Sequence, residues 1–517
     1  MTHVKRLPVP GVKLATAGVT LHAERPGGTM TGSTHPKRPR ADSAPGNHGT
    51  FSRGAPPALD PWLWSSVAAD VALASRAGPE GLEARRARRL QRLLSAAARH
   101  SPLCERMLKG RDLSRLRLQE LPVMHKGELM RDFDRWVADP CLRLAALRRF
   151  VGDGRRIADA FHGRYVVWES SGSSGEPGIF VQDALAMAVN DALEAWRRPL
   201  LRPLQRMLDP WWLGERVAFV GAIDGHFAST VSIERLRRLN TLLAGRLRSV
   251  SFLWPVERIV AALEDFAPTV LATYPSAAML LARERRAGRL RLPVREVWTG
   301  GEDLSQAERR FIGDAFGCQV ANSYGASEFL SLAFQCGHGH LHLNSDWAIL
   351  ECVDAQGRPV PPGQPGATTL LTNLANHVQP LIRYDLGDRV VVHACACTCG
   401  SCLPVIEVQG RSDDTLRLRG RAHRTVDVLP LALSTVLEEQ AGLYDFQLVQ
   451  QGPGDLLLST GLQGVEGDEA LHRARRALGD FLRSQGAEGI RIDCRSGEAA
   501  RALRSGKVPR VVAAPCR

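Results

Sequence analysis

The sequence predicts an α/β fold: a large domain with a mostly parallel sheet, a β-rich subdomain, and a small α+β piece at the C-terminal end. Three observations predict it. Short apolar runs alternate with helical periods from about Asp183 to Ser323, the pattern of strands joined by crossover helices. Polar or glycine-bearing turns follow three of those runs, at Pro275-Ser276, Gly300-Gly301-Glu302 and Tyr324-Gly325. Beyond His340 the texture changes to short alternating segments separated by turns such as Pro359-Val-Pro-Pro-Gly-Gln-Pro-Gly366.

A chain of 517 residues exceeds one compact core, so about two to four domains are expected. Residues 1–57 are rich in Pro, Gly, Ser, Thr and basic residues without periodicity, and read as a disordered basic tail. Residues 58–411 form the large domain, with the β-rich part at about 335–410, and residues 412–517 the small one. Within the large domain, Leu82–His100 repeats Leu and Ala at helical spacing, with Arg85, Arg89 and Arg92 on the opposite face. Ser101-Pro102 opens a further helix. Asp183–Leu201, Val256–Phe266, Ala277–Ala287 and Ser305–Phe316 read as helices, the last capped by Ser305. Val217–Ile223, Thr269–Tyr274, Val294–Trp298 and Gln319–Ser323 read as the strands between them. His340–Val353, Thr368–Thr372 and Val390–Val392 read as strands of the β-rich part. The C-terminal piece shows helices near Leu431–Ala441 and Glu469–Ser484, and strands near Phe446–Gln450 and Leu456–Gly461.

The formal net charge of +13 is spread along the chain and aromatic residues make up 6%, so direct nucleic-acid binding is not expected; the charge favours anionic substrates. No apolar run reaches a membrane span and no secretory core opens the chain, so a cytoplasmic protein with reduced thiols is expected.

The stretch with most chemical content is Ser170–Gly178, four serines and three glycines in nine residues. Such a loop can turn its N–H groups and hydroxyls toward one anion. A Ser/Gly run by itself is most often a flexible turn. Here Tyr165-Val166-Val167 and Ile179-Phe180-Val181 flank it as strands, and Pro177 stiffens its exit. It lacks the P-loop lysine, so a cation must reach a bound polyphosphate from elsewhere. Lys507, in Ser505-Gly506-Lys507, is a candidate. Tyr324 offers a ring for a purine, Glu328 a carboxylate for magnesium, and Asp388 and Arg411 partners for ribose and phosphate. Each of these residues alone reads most simply as core or surface.

Together, in order, Ser170–Gly178, Gly300-Gly301-Glu302, Tyr324-Gly-Ala-Ser-Glu328, Tyr384-Asp-Leu-Gly-Asp388, Gly410-Arg-Ser-Asp-Asp414 and Ser505-Gly-Lys507 resemble the adenylate-forming superfamily. More narrowly, they look like its phenylacetate–coenzyme A ligase and coenzyme F390 synthetase branch, over about Ser101 to Arg510. The resemblance implies a large ATP- and acid-binding domain and a small mobile one hinged at Asp413. It implies that Ser170, Ser171, Gly172, Ser173, Ser174 and Gly175 grip phosphates and that Gly300, Gly301 and Glu302 line the adenine slot. Tyr324 and Gly325 would meet adenine, Glu328 would bind Mg2+, Asp388 and Arg411 would hold ribose, and Lys507 would bridge the carboxylate and α-phosphate. The implied reaction activates a small-molecule carboxylic acid with ATP as an acyl-adenylate, then transfers the acyl group to coenzyme A. The branch's Gly-x-Asn-Val-Phe-Pro element is absent from Arg419–Asp427, which leaves a carrier-protein phosphopantetheine as alternative acceptor. A nucleotide-binding homologue without turnover is the further alternative. The acid pocket is expected among His226, Trp254 and Tyr274, whose rings favour an aryl or apolar acid.

Eleven cysteines include Cys395, Cys397, Cys399 and Cys402, preceded by Cys336-Gly-His338-Gly-His340-Leu-His342. Thiolate and imidazole in such spacing suit tetrahedral structural zinc. Cys336, His338, Cys397 and Cys399 are the expected ligands, with Cys402 or His342 as replacements. The alternative is reduced cysteines beside surface histidines.

Overall fold

The computed structural model describes residues 60–513 apart from 171–176, 199–200, 203–213, 222, 224, 240, 253, 255, 303, 394–396, 412–415, 421–424, 429–432, 434–435, 444 and 498–509. Its twenty strands are β1 Val166–Glu169, β2 Ile179–Gln182, β3 Val217–Gly221, β4 Leu247–Ser251, β5 Val270–Thr273, β6 Glu296–Gly300, β7 Gln319–Ala326, β8 Phe329–Gln335, β9 Leu341–Leu343 and β10 Ala348–Val353; then β11 Thr368–Asn373, β12 Tyr384–Asp385, β13 Asp388–His393, β14 Val405–Arg411, β15 Leu416–Arg419, β16 Thr425–Val428, β17 Gln447–Gly452, β18 Asp455–Thr460, β19 Arg491–Ser496 and β20 Val511–Val512.

A nine-stranded sheet in the order β13-β14-β9-β8-β7-β6-β5-β3-β4 organises the chain. Its β4-β3-β5-β6-β7 half is parallel. Its β8, β9, β14 and β13 half is antiparallel. Parallel strands need crossovers, and the helices Val256–Phe266, Pro275–Arg286 and Gln306–Phe316 supply them. Their apolar stripes, including Leu263, Leu281 and Ile312, pack on Val220, Leu271 and Val297. The Gln306–Phe316 helix opens on a capping box between Ser305 and Glu308 and stops at Gly317, whose φ is 64°. A second core lies under Ala188, Leu193 and Val231 and includes Tyr324, Tyr384 and the β1–β2 pair.

Four smaller sheets of described residues accompany this frame, one of them the antiparallel β15–β16 pair. β1 and β2 form a two-stranded antiparallel pair, and β10-β11-β12 a three-stranded sheet. β19-β18-β17-β20 packs with the Gly464–Ser484 helix around its own core, including Leu448, Leu458 and Leu478. The α/β class and the strand–helix alternation agree with the sequence reading.

One expected strand breaks. His340–Val353 is two strands, β9 and β10, separated by Asn344–Trp347. The cause is Asp346, fully buried and gripped by Arg197 at 2.7 and 2.9 Å and by Arg89 at 3.2 Å. Two guanidinium groups compensate one buried carboxylate, which pulls the chain out of the sheet there. Of the C-terminal helix expected at Leu431–Ala441, the described part is a single wide turn at Val436–Gln440.

Candidate nucleotide and acid site

The Ser/Gly loop is held at its neck. β1 and β2 pair as far as Glu169 opposite Ile179. Ser170 N–H then donates to the Gly178 carbonyl at 2.8 Å, and Gly178 N–H donates to Ser170 Oγ at 2.8 Å. Ser170 is thus a strut of the neck. Ser171, Gly172, Ser173, Ser174 and Gly175 lie outside the described residues. Two bonds aim the neck at the sheet. Trp168 Nε1 donates to the Ser327 carbonyl at 2.8 Å, and Glu169 N–H donates to the His226 carbonyl at 2.8 Å. The loop therefore springs from beside the turn that carries Glu328.

That turn, Ser327-Glu328, joins β7 to β8 at the C-terminal end of the parallel half, where open α/β sheets gather ligands. Gly325 makes the turn possible. A Cβ there would come within 1.8 Å of the Leu330 carbonyl oxygen, and the β7–β8 register slips between Tyr324 and Ala326. The bulge sends Tyr324 and Glu328 to two separate partners.

Each partner is a tyrosine–carboxylate pair. Tyr324 OH donates to Asp388 Oδ2 at 2.7 Å, and Tyr384 OH donates to Glu328 Oε1 at 2.8 Å. Tyr324 and Asp388, distant in sequence, are thus brought together. Asp388 pairs across the antiparallel ladder with Arg411, which places the three expected ribose and adenine residues on adjoining strand ends. The motif resemblance gives Tyr384 no role; in the structure its hydroxyl orients Glu328, the magnesium candidate. Its backbone is fixed by the preceding Arg383, which takes φ of 52°. That costly conformation is held by Arg383 Nε on Glu351 Oε2 at 3.2 Å, Nη1 on the Leu121 carbonyl at 2.6 Å and Nη2 on the Gly357 carbonyl at 3.0 Å.

Gly300 and Gly301 end β6, and Glu302 follows. Glu302 Oε2 accepts from Ser276 N–H at 3.0 Å, at the positive end of the Pro275–Arg286 helix. The bond ties the Gly300–Glu302 turn to the end of β5. Tyr274 precedes that helix, buried and edge-on to Phe219 with ring centroids 6.4 Å apart. His226 is fully buried and tilted against Phe150 at 5.3 Å. Burial pushes its imidazolium pKa down, against a weaker lift from the Arg156 and Val151 backbone. The Arg258 guanidinium covers the Trp254 ring at 3.9 Å, and Trp254 packs on the core that includes Val220 and Leu271.

Lys507 and Asp413 lie outside the described residues. Arg510, three positions past Lys507, is described, and sequence reasoning missed it. Its Nη1 donates to Glu308 Oε1 at 2.7 Å on the Gln306–Phe316 helix, its guanidinium covers Phe446 at 4.1 Å, and its carbonyl accepts from Leu448 N–H at 2.7 Å. The C-terminal segment is thereby anchored both to its own sheet and to the large one. Arg283 and Asp445, 3.3 Å apart, add a second link.

The cysteine cluster differs from the expected set by one ligand. Cys336, His342, Cys397 and Cys399 present donor atoms all within 4.8 Å of one another. His338 is not among them; its Nδ1 lies 3.4 Å from Thr398 Oγ1. The physical reason is the β9 pleat, which buries His342 against Phe334 while His338 stays in the exposed turn before it. Cys402 is exposed and outside the group, and Cys395 is not described. The His340 imidazole, 3.3 Å from Cys397 Sγ, pulls that thiol well below its usual range, to about 5.

Residues 245–370 match the family model described as AMP-binding enzyme. They hold β5, β6, β7 and the Tyr324–Glu328 turn. Over 190 residues the chain is 32% identical to phenylacetate-coenzyme A ligase of Thermus thermophilus, covering 35% of this chain and 41% of the relative. Over these stretches the chain is similar to AMP-binding enzymes and to a coenzyme A ligase. The matched stretch spans about two-fifths of that relative. The fold covers far more. A crystal structure of 2-hydroxyisobutyryl-CoA ligase in the postadenylation state with 2-HIB-AMP superposes with a TM-score of 0.59 at 21% identity, over 83% of this chain and 89% of that one. The same ligase in its thioesterification state with 2-HIB-AMP and CoA gives 0.50 over 85% and 91%. The likeness in fold thus extends over most of the chain. Among the described residues no helix is long and apolar enough to cross a membrane.

Proposed function

We propose that this chain is an AMP-forming acid–thiol ligase: it activates a carboxylic acid with ATP, releases pyrophosphate, and passes the acyl group to coenzyme A. The observation that carries the reading is the paired geometry at the sheet's C-terminal end, where Tyr324–Asp388 and Tyr384–Glu328 converge beside the neck of the Ser/Gly loop. The phenylacetate–coenzyme A ligase likeness and the AMP-binding segment support it.

In this reading the loop between Ser170 and Gly178 grips the β- and γ-phosphates with backbone N–H groups and hydroxyls, and those two residues hold its neck. Adenine lies between Gly300–Glu302 and the Tyr324-Gly325 strand end, and Asp388 with Arg411 holds the ribose. Glu328 would hold Mg2+, whose preference for carboxylate oxygen it satisfies, and the ion would neutralise phosphate charge. The acid occupies the space near His226 and Tyr274. Buried His226 and the Phe219–Tyr274 pair line that end with rings, which favours an aryl or apolar acid. Its carboxylate oxygen attacks the α-phosphorus, the bond to the bridging oxygen of pyrophosphate breaks, and pyrophosphate leaves with the electron pair. Lys507 meets the growing charge, which stabilises the transition state more than the ground state.

Residues 412–517 act as a small mobile domain hinged at Asp413, whose swing removes Lys507 and admits the thiol. ATP–pyrophosphate exchange across a panel of aryl and aliphatic acids tests the reading. Exchange dependent on one acid class, followed by thioester formation with coenzyme A, supports it. Exchange with no acid points to a nucleotide-binding homologue. Exchange without transfer to coenzyme A points to a carrier-protein acceptor.

A further inference from the structure

The thiol and imidazole cluster lies away from the chemistry. Cys336 directly follows β8, and Glu328 directly precedes it. At roughly 3.3 Å per residue, the two ends of that strand are about 25 Å apart. β13 behaves likewise: Asp388 begins it, and Cys397 and Cys399 lie beyond its other end. β14 begins near Leu403 and finishes at Arg411. His342 sits on β9, between β14 and β8 in the sheet. One point in space therefore gathers the far ends of three strands whose near ends carry Glu328, Asp388 and Arg411.

The spacing fits a metal ion. A tetrahedral zinc with bonds of about 2.3 Å to sulfur and 2.0–2.1 Å to nitrogen has S···S edges of about 3.8 Å and S···N edges of about 3.6 Å. Cys336 Sγ and Cys397 Sγ are 3.9 Å apart, and His342 Nε2 and Cys399 Sγ 3.3 Å. A disulfide needs about 2.0 Å, so the thiols are not cross-linked. His342 Nδ1 lies 2.8 Å from the Leu403 carbonyl and donates its proton there, which leaves the Nε2 lone pair facing the sulfurs.

The backbone is shaped for the same purpose. In Cys336-Gly-His-Gly339 and again in Cys397-Thr-Cys-Gly400, a glycine three positions after the cysteine has φ of 85° or 83°. Its N–H donates back to the cysteine carbonyl, at 2.9 and 3.1 Å. Two such knuckles face each other. Ser401 N–H reaches Cys399 Sγ at 3.5 Å, the kind of amide donor that steadies a bound thiolate.

We infer that Cys336, His342, Cys397 and Cys399 bind one structural zinc ion that rivets β8, β9 and the β13–β14 connection at the end of the sheet opposite the nucleotide residues. In the bound state all three cysteines are thiolates. Zn2+, three thiolates and a neutral imidazole leave a net charge of −1, and the His340 ring 3.3 Å from Cys397 Sγ offsets it by donating from Nδ1. With all four positions filled by protein, the ion has no open site for substrate.

The full chain, purified without a metal-affinity step from zinc-supplemented medium, should carry one zinc per chain by elemental analysis. Cobalt(II) added to chelator-stripped protein should give the intense visible bands and thiolate charge-transfer absorption of a tetrahedral sulfur-rich site. His338→Ala and Cys402→Ser should keep stoichiometry and spectrum, whereas His342→Ala and Cys399→Ser should lose them. Should the latter pair fail to fold, stripping the unaltered protein decides: its melting temperature should fall and return when zinc alone is restored. A chain that carries no zinc, shows an octahedral cobalt spectrum, or loses its metal with His338→Ala but keeps it with His342→Ala overturns the assignment.

Discussion

The two ends of strands β8, β13 and β14 differ in donor chemistry. One end presents Glu328 and Asp388, each carboxylate held by one tyrosine hydroxyl. The other presents three thiols and an imidazole within 4.8 Å. Carboxylate oxygen suits a hard, exchangeable ion that arrives with a polyphosphate and leaves with it. Thiolate and imidazole suit a softer ion that stays. The difference teaches that the same strands are used twice, once to hold and once to react, and that the holding end can be fixed because it is remote from turnover.

This contrast can be broken at either end. Glu328→Gln should have the largest effect of the substitutions at described positions. It keeps a partner for the Tyr384 hydroxyl but removes the charge, and acyl-adenylate formation should fall on the order of 10²–10³-fold while the melting temperature holds. Tyr384→Phe should cost less. Loss of a hydrogen bond to a charged group, about 1.5–3 kcal/mol, corresponds to roughly ten- to hundredfold in the same rate. If Tyr384→Phe leaves the rate intact, the tyrosine is not orienting the magnesium ligand. Arg510→Ala should slow adenylation about tenfold by freeing the C-terminal segment from Glu308, and Arg510→Lys should restore part of it. Zinc removal should do least to the reaction. Exchange measured in the cold should change little while thermal unfolding shifts to lower temperature. A collapse of exchange with an unchanged melting temperature would place the ion in the chemistry and erase the contrast.

Much of this was legible in the sequence, for identifiable reasons. The parallel half announces itself because each buried strand is a short apolar run followed by a helix with a cap, as at Ser305. The polar turns after β5, β6 and β7, where a ligand is proposed, follow from that alternation. The pairs Tyr324–Asp388 and Tyr384–Glu328 were not legible, because residues 64 and 56 positions apart meet only through sheet order. The break at Asn344–Trp347 was hidden for the same reason: its cause is Arg89 and Arg197, both far upstream of Asp346. His342 and His338 are equivalent by spacing. The pleat decides between them, burying one and exposing the other. Nothing in the sequence around Arg510 points to Glu308, its partner on another element.

The account depends most on Lys507 meeting the nucleotide during adenylation and then withdrawing. Rapid-quench measurement of both half-reactions in Lys507→Ala tests it most directly. Acyl-adenylate formation should drop on the order of 10²–10³-fold, while thioester formation from supplied acyl-adenylate and coenzyme A stays close to that of the unaltered enzyme. Equal loss in both half-reactions, or none in the first, would contradict it.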